Sequence, residues 1–312
     1  MEIIKGSHNI APRHRGNVIT IGNFDGVHHG HRILLDHLRA KSAELGVPSA
    51  IITFEPQPRE FFAGSEVPPR LTRLREKACL LSEAGLDRLI LMPFNEDTAR
   101  TPARYITEEL LHELLGARHV VVGDDFRFGN NREGDFAFMK AEGDRLGYTV
   151  EHMGTHVYED ERVSSTRVRQ VLAAGDFALA ERLLGHAYFI MGRVVYGRQL
   201  GRQLGVPTAN IRLQRYKAAL EGVYCVTVAG IGETEYHGIA NIGVRPTVDG
   251  KEPLLEVHVF DFSGNLYGRL LTITFKKKLR DERAFESIDA LKAQIDLDLE
   301  EARDWFARAS DA

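Results

Sequence analysis

Two cysteines in 312 residues, Cys79 and Cys225, leave no disulfide framework and no paired spacing from which a zinc site could be built. Such scarcity fits reduced thiols. No run of about eighteen apolar residues occurs, and the opening MEIIKGSHNIAPRHRG has no apolar core ahead of a small-residue cleavage site. The expectation is a cytoplasmic protein that neither spans a membrane nor is secreted. A basic surplus is also missing: 40 Lys and Arg stand against 44 Asp and Glu, giving a net charge of -4 and a pI near 6.4. Nucleic acid is therefore not expected as a partner. What is present is an ordinary globular composition, 43% hydrophobic and 27% charged, with a length that suits two domains.

Short, nearly continuous apolar runs at Val18–Ile21, Ala50–Phe54, Leu89–Met92, Val120–Val122 and Tyr148–Val150 predict strands buried on both faces of a parallel sheet. Between them, Leu35, Leu38 and Leu45 recur at helical spacing before Gly46. Leu74, Ala78 and Leu81 do so before Gly85, and Ile106, Leu110 and Leu114 before Gly116. This alternation is a βαβ series, hence a doubly wound α/β sheet. Helical segments Thr166–Ala174 and Phe177–Leu184 follow. After Gly185 the runs YFIMGRVVYG, GVYCVTVAGI, YHGIANIGV, LLEVHVFDF and LLTITF are separated by Gly, Asp and Asn, which predicts a small antiparallel barrel or sandwich. Ile288, Leu291, Ile295, Leu299, Ala302 and Phe306 predict a terminal helix. The domain boundary is expected near residue 185, dividing 1–185 from 186–312.

Directly after the first predicted strand comes Gly22-Asn23-Phe24-Asp25-Gly26-Val27-His28-His29-Gly30-His31. Glycines at a strand's carboxyl end let backbone approach a ligand, and the following helix start offers free N–H groups and a positive dipole end. His28 and His31, three apart, can donate to one anion. The residues thus suit a phosphate whose charge builds during group transfer. A metal pair or solvated turn histidines are the alternatives. The spacing is not the G-x-G-x-x-G of dinucleotide dehydrogenases, which disfavours hydride transfer.

Four ordered stretches carry a resemblance: the loop just quoted, Phe54-Glu55-Pro56-Gln57-Pro58, Gly123-Asp124-Asp125-Phe126-Arg127-Phe128-Gly129, and Ser164-Ser165-Thr166-Arg167-Val168-Arg169. Together they resemble the adenylyltransferase module of bacterial bifunctional riboflavin kinase/FAD synthetases. These are Rossmann-like H-x-G-H nucleotidylyltransferases that transfer AMP from ATP without a covalent intermediate. The resemblance implies that His28 and His31 hold the ATP phosphates, with Gly22, Phe24 and Gly30 framing the nucleotide. It implies that Ser165, Thr166 and Arg167 clamp the departing pyrophosphate. Asp125 would lie near the substrate phosphate or its metal, and Phe126 or Phe128 near the flavin. Some relatives carry Asn in place of Asp125 and His in place of Gln57. Taken alone, Phe126 and Phe128 also fit a core, and Ser165-Thr166 a helix cap.

A second constellation, Gly192 to Asn210, holds Gly197, Gly201, Arg202 and Gly205 and ends in Pro207-Thr208-Ala209-Asn210. Such a loop offers backbone N–H groups, and Thr208 and Asn210 present oxygens on one side, suited to a phosphate-bound Mg²⁺. An ordinary hairpin turn is the alternative. With Asn241-Ile242-Gly243-Val244-Arg245-Pro246-Thr247, Leu255-Glu256-Val257-His258, Asp261-Phe262, Leu266-Tyr267-Gly268 and Leu279-Arg280, the pattern resembles the riboflavin kinase module of the same family. That resemblance implies a small antiparallel barrel in which Thr208 and Asn210 are metal ligands and Gly197, Gly201 and Arg202 touch nucleotide. It also implies that Glu256 is the general base and that Arg280 contacts flavin. Without the motif, Glu256 reads as a solvated strand carboxylate. The implied substrates are riboflavin, FMN and ATP, with Mg²⁺ as cofactor and FAD as final product. Two rivals stand beside this reading: an adenylyltransferase for another phosphorylated substrate, and a flavin-binding regulatory protein without turnover.

Overall fold

A computed structural model describes residues 1–154, 157–158, 161–197, 201, 205–247 and 250–310. They form two compact units, Met1–Val67 with Thr72–Ser165, and Pro68–Leu71 with Thr166–Ala312.

The first unit is built on six parallel strands: β1 (Glu2–Lys5), β2 (Asn17–Ile21), β3 (Ser49–Glu55), β4 (Arg88–Pro93), β5 (Ala117–Gly123) and β6 (Thr149–Met153). Their order, β1-β4-β3-β2-β5-β6, reverses direction at β2. Strands β2 and β5 are neighbours although β3 and β4 lie between them in the chain, so this is a doubly wound sheet with its switch point beside β2. Val18, Ile19, Ala50, Ile51, Ile52, Val120, Val121 and Val122 are fully buried, which explains why these runs read as continuous rather than alternating. Each of these valines and isoleucines contributes roughly 1.5–3 kcal/mol by leaving water.

Helix His29–Leu45 puts Leu35 and Leu38 into the core and ends where Gly46 takes the left-handed conformation at φ 63°. Helix Leu74–Glu83 buries Leu81 of its predicted stripe and leaves Leu74 and Ala78 half-buried, with Glu76, Lys77 and Leu80 turned inward beside them, and Ile106–Leu114 winds as a π-helix. Two elements were not expected. Strand β1 shows only Ile4 to the core, so it lacks the apolar run of a central strand, and it lies at the sheet edge. Helix Phe136–Leu146 buries Met139, Glu142 and Gly143, a stripe too mixed in polarity to stand out.

The second unit is a closed six-stranded antiparallel barrel. It comprises β9 (Phe189–Val195), β10 (Ala209–Arg212), β11 (Gly222–Ala229), β12 (Tyr236–Thr247), β13 (Gly250–Val259) and β14 (Leu270–Arg280) in the order β10-β13-β12-β11-β14-β9. Closure leaves no free sheet edge. The short pair β7 (Val157–Tyr158) and β8 (Glu161–Arg162) belongs to the first unit. Helix Phe177–Leu184 packs on the barrel through Phe177, which meets the rings of Tyr224 and Phe275. The terminal helix Ile288–Ser310 buries Ala302 and Phe306 beside Cys225 and Phe260, while Ile288, at the start of the predicted stripe, is exposed. Both cysteines are free thiols, and burial pushes Cys225 up to about 12.

Candidate functional site

At the carboxyl end of β2 the chain turns sharply. Phe24, Gly26 and Val27 all have positive φ, and Asp25 to His28 are buried. The turn is held from inside. Thr72 donates its N–H and hydroxyl to Asp25 Oδ1 at 3.0 and 3.2 Å, Gly26 N–H donates to Thr72 Oγ1 at 2.9 Å, and Ser165 Oγ donates to the Asp25 carbonyl at 2.9 Å. Asp25 is therefore a brace, and its carboxylate serves the turn rather than solvent. His28 caps helix His29–Leu45 by accepting from His31 N–H on Nδ1 at 3.4 Å, which leaves its Nε2 to carry a proton.

The rings of His28 and His31 stack at 3.7 Å, and Phe24 lies against His31 at 4.8 Å. Their closeness depends on two glycines: a Cβ at Gly22 would stand 3.0 Å from the Phe24 ring, and one at Gly30 would stand 3.4 Å from His28. Nδ1 of His31 is buried without a hydrogen-bond partner. Burial, reinforced by the charges of His28 and Lys77, holds the His31 imidazole well below its ordinary value of 6.5, so the ring is neutral. This is a pair of close-packed imidazoles at a helix start at the sheet's switch point, where open α/β sheets bind ligands.

Two residues here, Lys77 and Thr72, were missed by sequence reasoning. Lys77 is fully buried, reaches Thr53 Oγ1 at 3.4 Å and contributes positive charge at His31. Its signal was available: position 77 falls on the apolar stripe of Leu74, Ala78 and Leu81, where a lysine is out of place. Thr72 had no such signal. Gln57, already part of the quoted motif, is buried with Nε2 unpaired, while its backbone N–H donates to the Glu60 carboxylate at 2.9 Å, closing a helix cap.

The loop after β5 starts at the same switch point. Asp125 is exposed and ion-paired with Arg162. Phe126 and Phe128 stack at 5.1 Å. Phe128 is buried in the core of this unit and Phe126 packs against that core, so the apolar alternative accounts for both contacts. Ser165 opens helix Ser165–Ala174, and exposed Thr166 and half-buried Arg167 occupy its first turn.

In the barrel, the register brings the second constellation together. Glu256 on β13 stands directly opposite Asn210 on β10 and Asn241 on β12. Leu255, Val257 and Val259 face the core, so Glu256 takes the other side with both amides. Oδ1 of Asn210 and Oδ1 of Asn241 are each buried without a hydrogen-bond partner, although Asn210 Nδ2 donates to the Thr208 carbonyl at 3.3 Å. Two orphaned carbonyl oxygens flanking a carboxylate form an oxygen-rich set that suits a hard cation such as Mg²⁺. Gly197 is packed so closely that a Cβ there would meet Asn210 Oδ1 at 2.4 Å, and one at Gly201 would meet the Val206 carbonyl at 2.4 Å. Thr208 is half-buried, and the preceding Pro207 carbonyl accepts from His258 Nδ1 at 2.8 Å. Arg202 lies outside the described residues. Arg280 grips the buried Asp298 with Nε and Nη2 at 2.7–3.0 Å, tying β14 to the terminal helix.

A switch-point anion loop on a parallel sheet and an oxygen-donor cluster on a closed barrel define a two-part nucleotide-handling transferase. Comparison with known proteins identifies which one. A family model described as FAD synthetase matches residues 10–167, and one described as riboflavin kinase matches residues 184–306. The chain is 50% identical over 305 residues to the bifunctional riboflavin kinase/FMN adenylyltransferase of Pseudomonas fluorescens, covering 97% of each. It is 47% identical over 308 residues to that of Escherichia coli K12, covering 98% of each. It also matches a crystal structure described as a macrolide-efflux protein from Streptococcus pneumoniae, with a TM-score of 0.79 and 28% identity over 98% of this chain and 100% of that one. Among the described residues no helix is long and apolar enough to cross a membrane. The chain belongs to the bifunctional riboflavin kinase/FMN adenylyltransferase family.

Proposed function

We infer that this chain phosphorylates riboflavin to FMN with ATP and then joins AMP from a second ATP to FMN, yielding FAD and pyrophosphate. The observation that carries this reading is the coverage of one chain by both family models, each falling on the unit whose geometry suits its chemistry. We assign adenylylation to residues 1–185 and phosphorylation to residues 186–312, a division supported by the limits of the two matches.

For phosphorylation, Glu256 accepts the proton of the ribityl 5'-hydroxyl, whose oxygen then attacks the γ-phosphorus of ATP as ADP leaves. Thr208 and Asn210 hold Mg²⁺, which when bound neutralises charge on the phosphates; the unpaired Oδ1 of Asn210 supports this. We assign Gly197, Gly201 and Arg202 to the ATP phosphates, and Arg280, held by Asp298, to the flavin side.

For adenylylation, an FMN phosphate oxygen attacks the α-phosphorus and pyrophosphate departs. His28, donating through Nε2, and His31 stabilise the charge that builds there, and Lys77 adds a fixed positive charge. Gly22, Phe24 and Gly30 shape the loop. Ser165, Thr166 and Arg167 receive the pyrophosphate, and Asp125, Phe126 and Phe128 serve the FMN side. This is positioning and electrostatics, with no covalent intermediate. Its small-molecule substrates and its two free thiols support a cytoplasmic setting.

The test is chromatography of flavins after incubation of the protein with riboflavin, ATP and Mg²⁺, beside a reaction begun from FMN. FMN followed by FAD in the first, and FAD in the second, is the expected result. Flavin binding without ATP consumption would establish the regulatory rival instead.

A further inference from the structure

Helix His29–Leu45 carries another histidine two turns past its phosphate-binding end. His37 Nε2 lies 2.9 Å from Glu151 Oε2 on β6, and the same oxygen lies 3.2 Å from His119 Nε2 on β5. The three donor groups all fall within 4.8 Å of one another. Around a tetrahedral ion with bonds of about 2.0–2.1 Å, neighbouring donors stand about 3.3 Å apart; the 3.2 Å spacing matches that span, and the 2.9 Å spacing reaches it with a shift of about 0.4 Å.

Thr149, directly beside His119 in the β5–β6 register, places its hydroxyl 2.6 Å from His119 Nδ1 and 3.3 Å from the Arg118 carbonyl. An outer hydrogen bond from the far ring nitrogen is what orients a metal-binding histidine.

We propose that His37, His119 and Glu151 form a binding site for one divalent transition metal of the zinc class, with water in the remaining position. Two imidazoles and one carboxylate favour such an ion over Mg²⁺, which prefers an all-oxygen octahedron. His119 is buried and fixes the site from below, whereas His37 and Glu151 keep 34% and 42% of their side chains exposed, giving the ion a path in from solvent. The ligands come from three elements, so the ion cross-links the helix that begins at His28 to the two strands beyond the switch point.

The full-length protein, stripped with chelator and held in excess Mg²⁺, is titrated with Zn²⁺ by calorimetry and with Co²⁺ by visible absorption. One equivalent is expected, with the intense absorption of a four-coordinate cobalt site and a rise in Tm on loading. Glu151→Gln and His37→Ala should each weaken binding at least tenfold, and Thr149→Val by about tenfold as the loss of an outer partner. The His28→Ala/His31→Ala variant should keep the site intact. Absence of a stoichiometric site, or binding undiminished in both Glu151→Gln and His37→Ala, overturns the proposal and leaves the cluster as an ion-paired tether. Loss confined to the His28/His31 variant overturns it too, since the metal would then sit at the phosphate loop.

Discussion

Replacing Gly197 by alanine probes the barrel site without removing any functional group. The added Cβ would stand 2.4 Å from Asn210 Oδ1, 2.5 Å from its Cγ and 2.6 Å from its Nδ2, whereas ordinary contact begins at 3.4 Å. The amide must retreat by about 1 Å. It is 5% exposed and linked to the Thr208 carbonyl, so it has little room to rotate away. A misplacement of about 1 Å in a positioned group costs on the order of 100-fold in rate, or about 2.7 kcal/mol of barrier. Over-packing should lower stability by roughly 1–3 kcal/mol as well. Initial rates of FMN formation from riboflavin, measured beside FAD formation from FMN on the same sample, separate the site effect from unfolding. The first should fall about 100-fold while the second stays unchanged. Gly232→Ala, where a Cβ meets nothing within 4 Å, is the matched control in the same unit. Wild-type FMN formation by a folded Gly197→Ala protein would refute the placement of Asn210 as a working ligand.

Further outcomes are open to the same assays. Glu256→Gln should abolish FMN formation yet spare conversion of added FMN to FAD, and His28→Ala/His31→Ala should do the reverse; loss of both activities in either variant would contradict separate sites. Lys77→Met should reduce FAD formation at least tenfold with FMN formation retained, because it deletes a buried charge near His31. The depressed His31 value means the unfolded chain takes up a proton there before the folded one does. Its stabilising contribution is thus complete above pH about 6.5 and is lost as pH falls toward the folded-state value, by at most about 1.4 kcal/mol per pH unit. Urea titrations of wild type and His31→Asn across that range should show a flatter profile in the variant; identical slopes would remove the argument. Asp298→Ala should cost on the order of 3 kcal/mol in urea unfolding, since it strands Arg280 in a half-closed site.

The parallel strands were readable because a strand buried on both faces carries a nearly continuous apolar run, as Val18–Ile19, Ala50–Ile52, Leu89–Leu91 and Val120–Val122 do in β2, β3, β4 and β5. Strand β1 was not, because only Ile4 of its four residues faces the core. The phosphate loop was readable because its glycines and histidines are contiguous. Lys77 escaped notice because nothing local links it to His31, although a lysine on an apolar stripe was a visible anomaly. For Phe126 and Phe128, alternation allowed both ligand contact and core packing; Phe128 is buried in the core and Phe126 packs half-buried against it.

By itself the sequence determined most of the strands and helices and the loops between them, because glycine spacing, cap residues and apolar periodicity act between near neighbours; the resemblance of those loops to a known family pointed to the two chemistries. Only the tertiary structure decided that Glu256 faces both Asn210 and Asn241, that Asp25 is consumed as a brace by Thr72, and that His37 meets His119 and Glu151. Those meetings depend on strand register and on the reversal of sheet order at β2. Register is a property of the paired strands together, set by which side chains can share one core, and no single stretch of chain contains it.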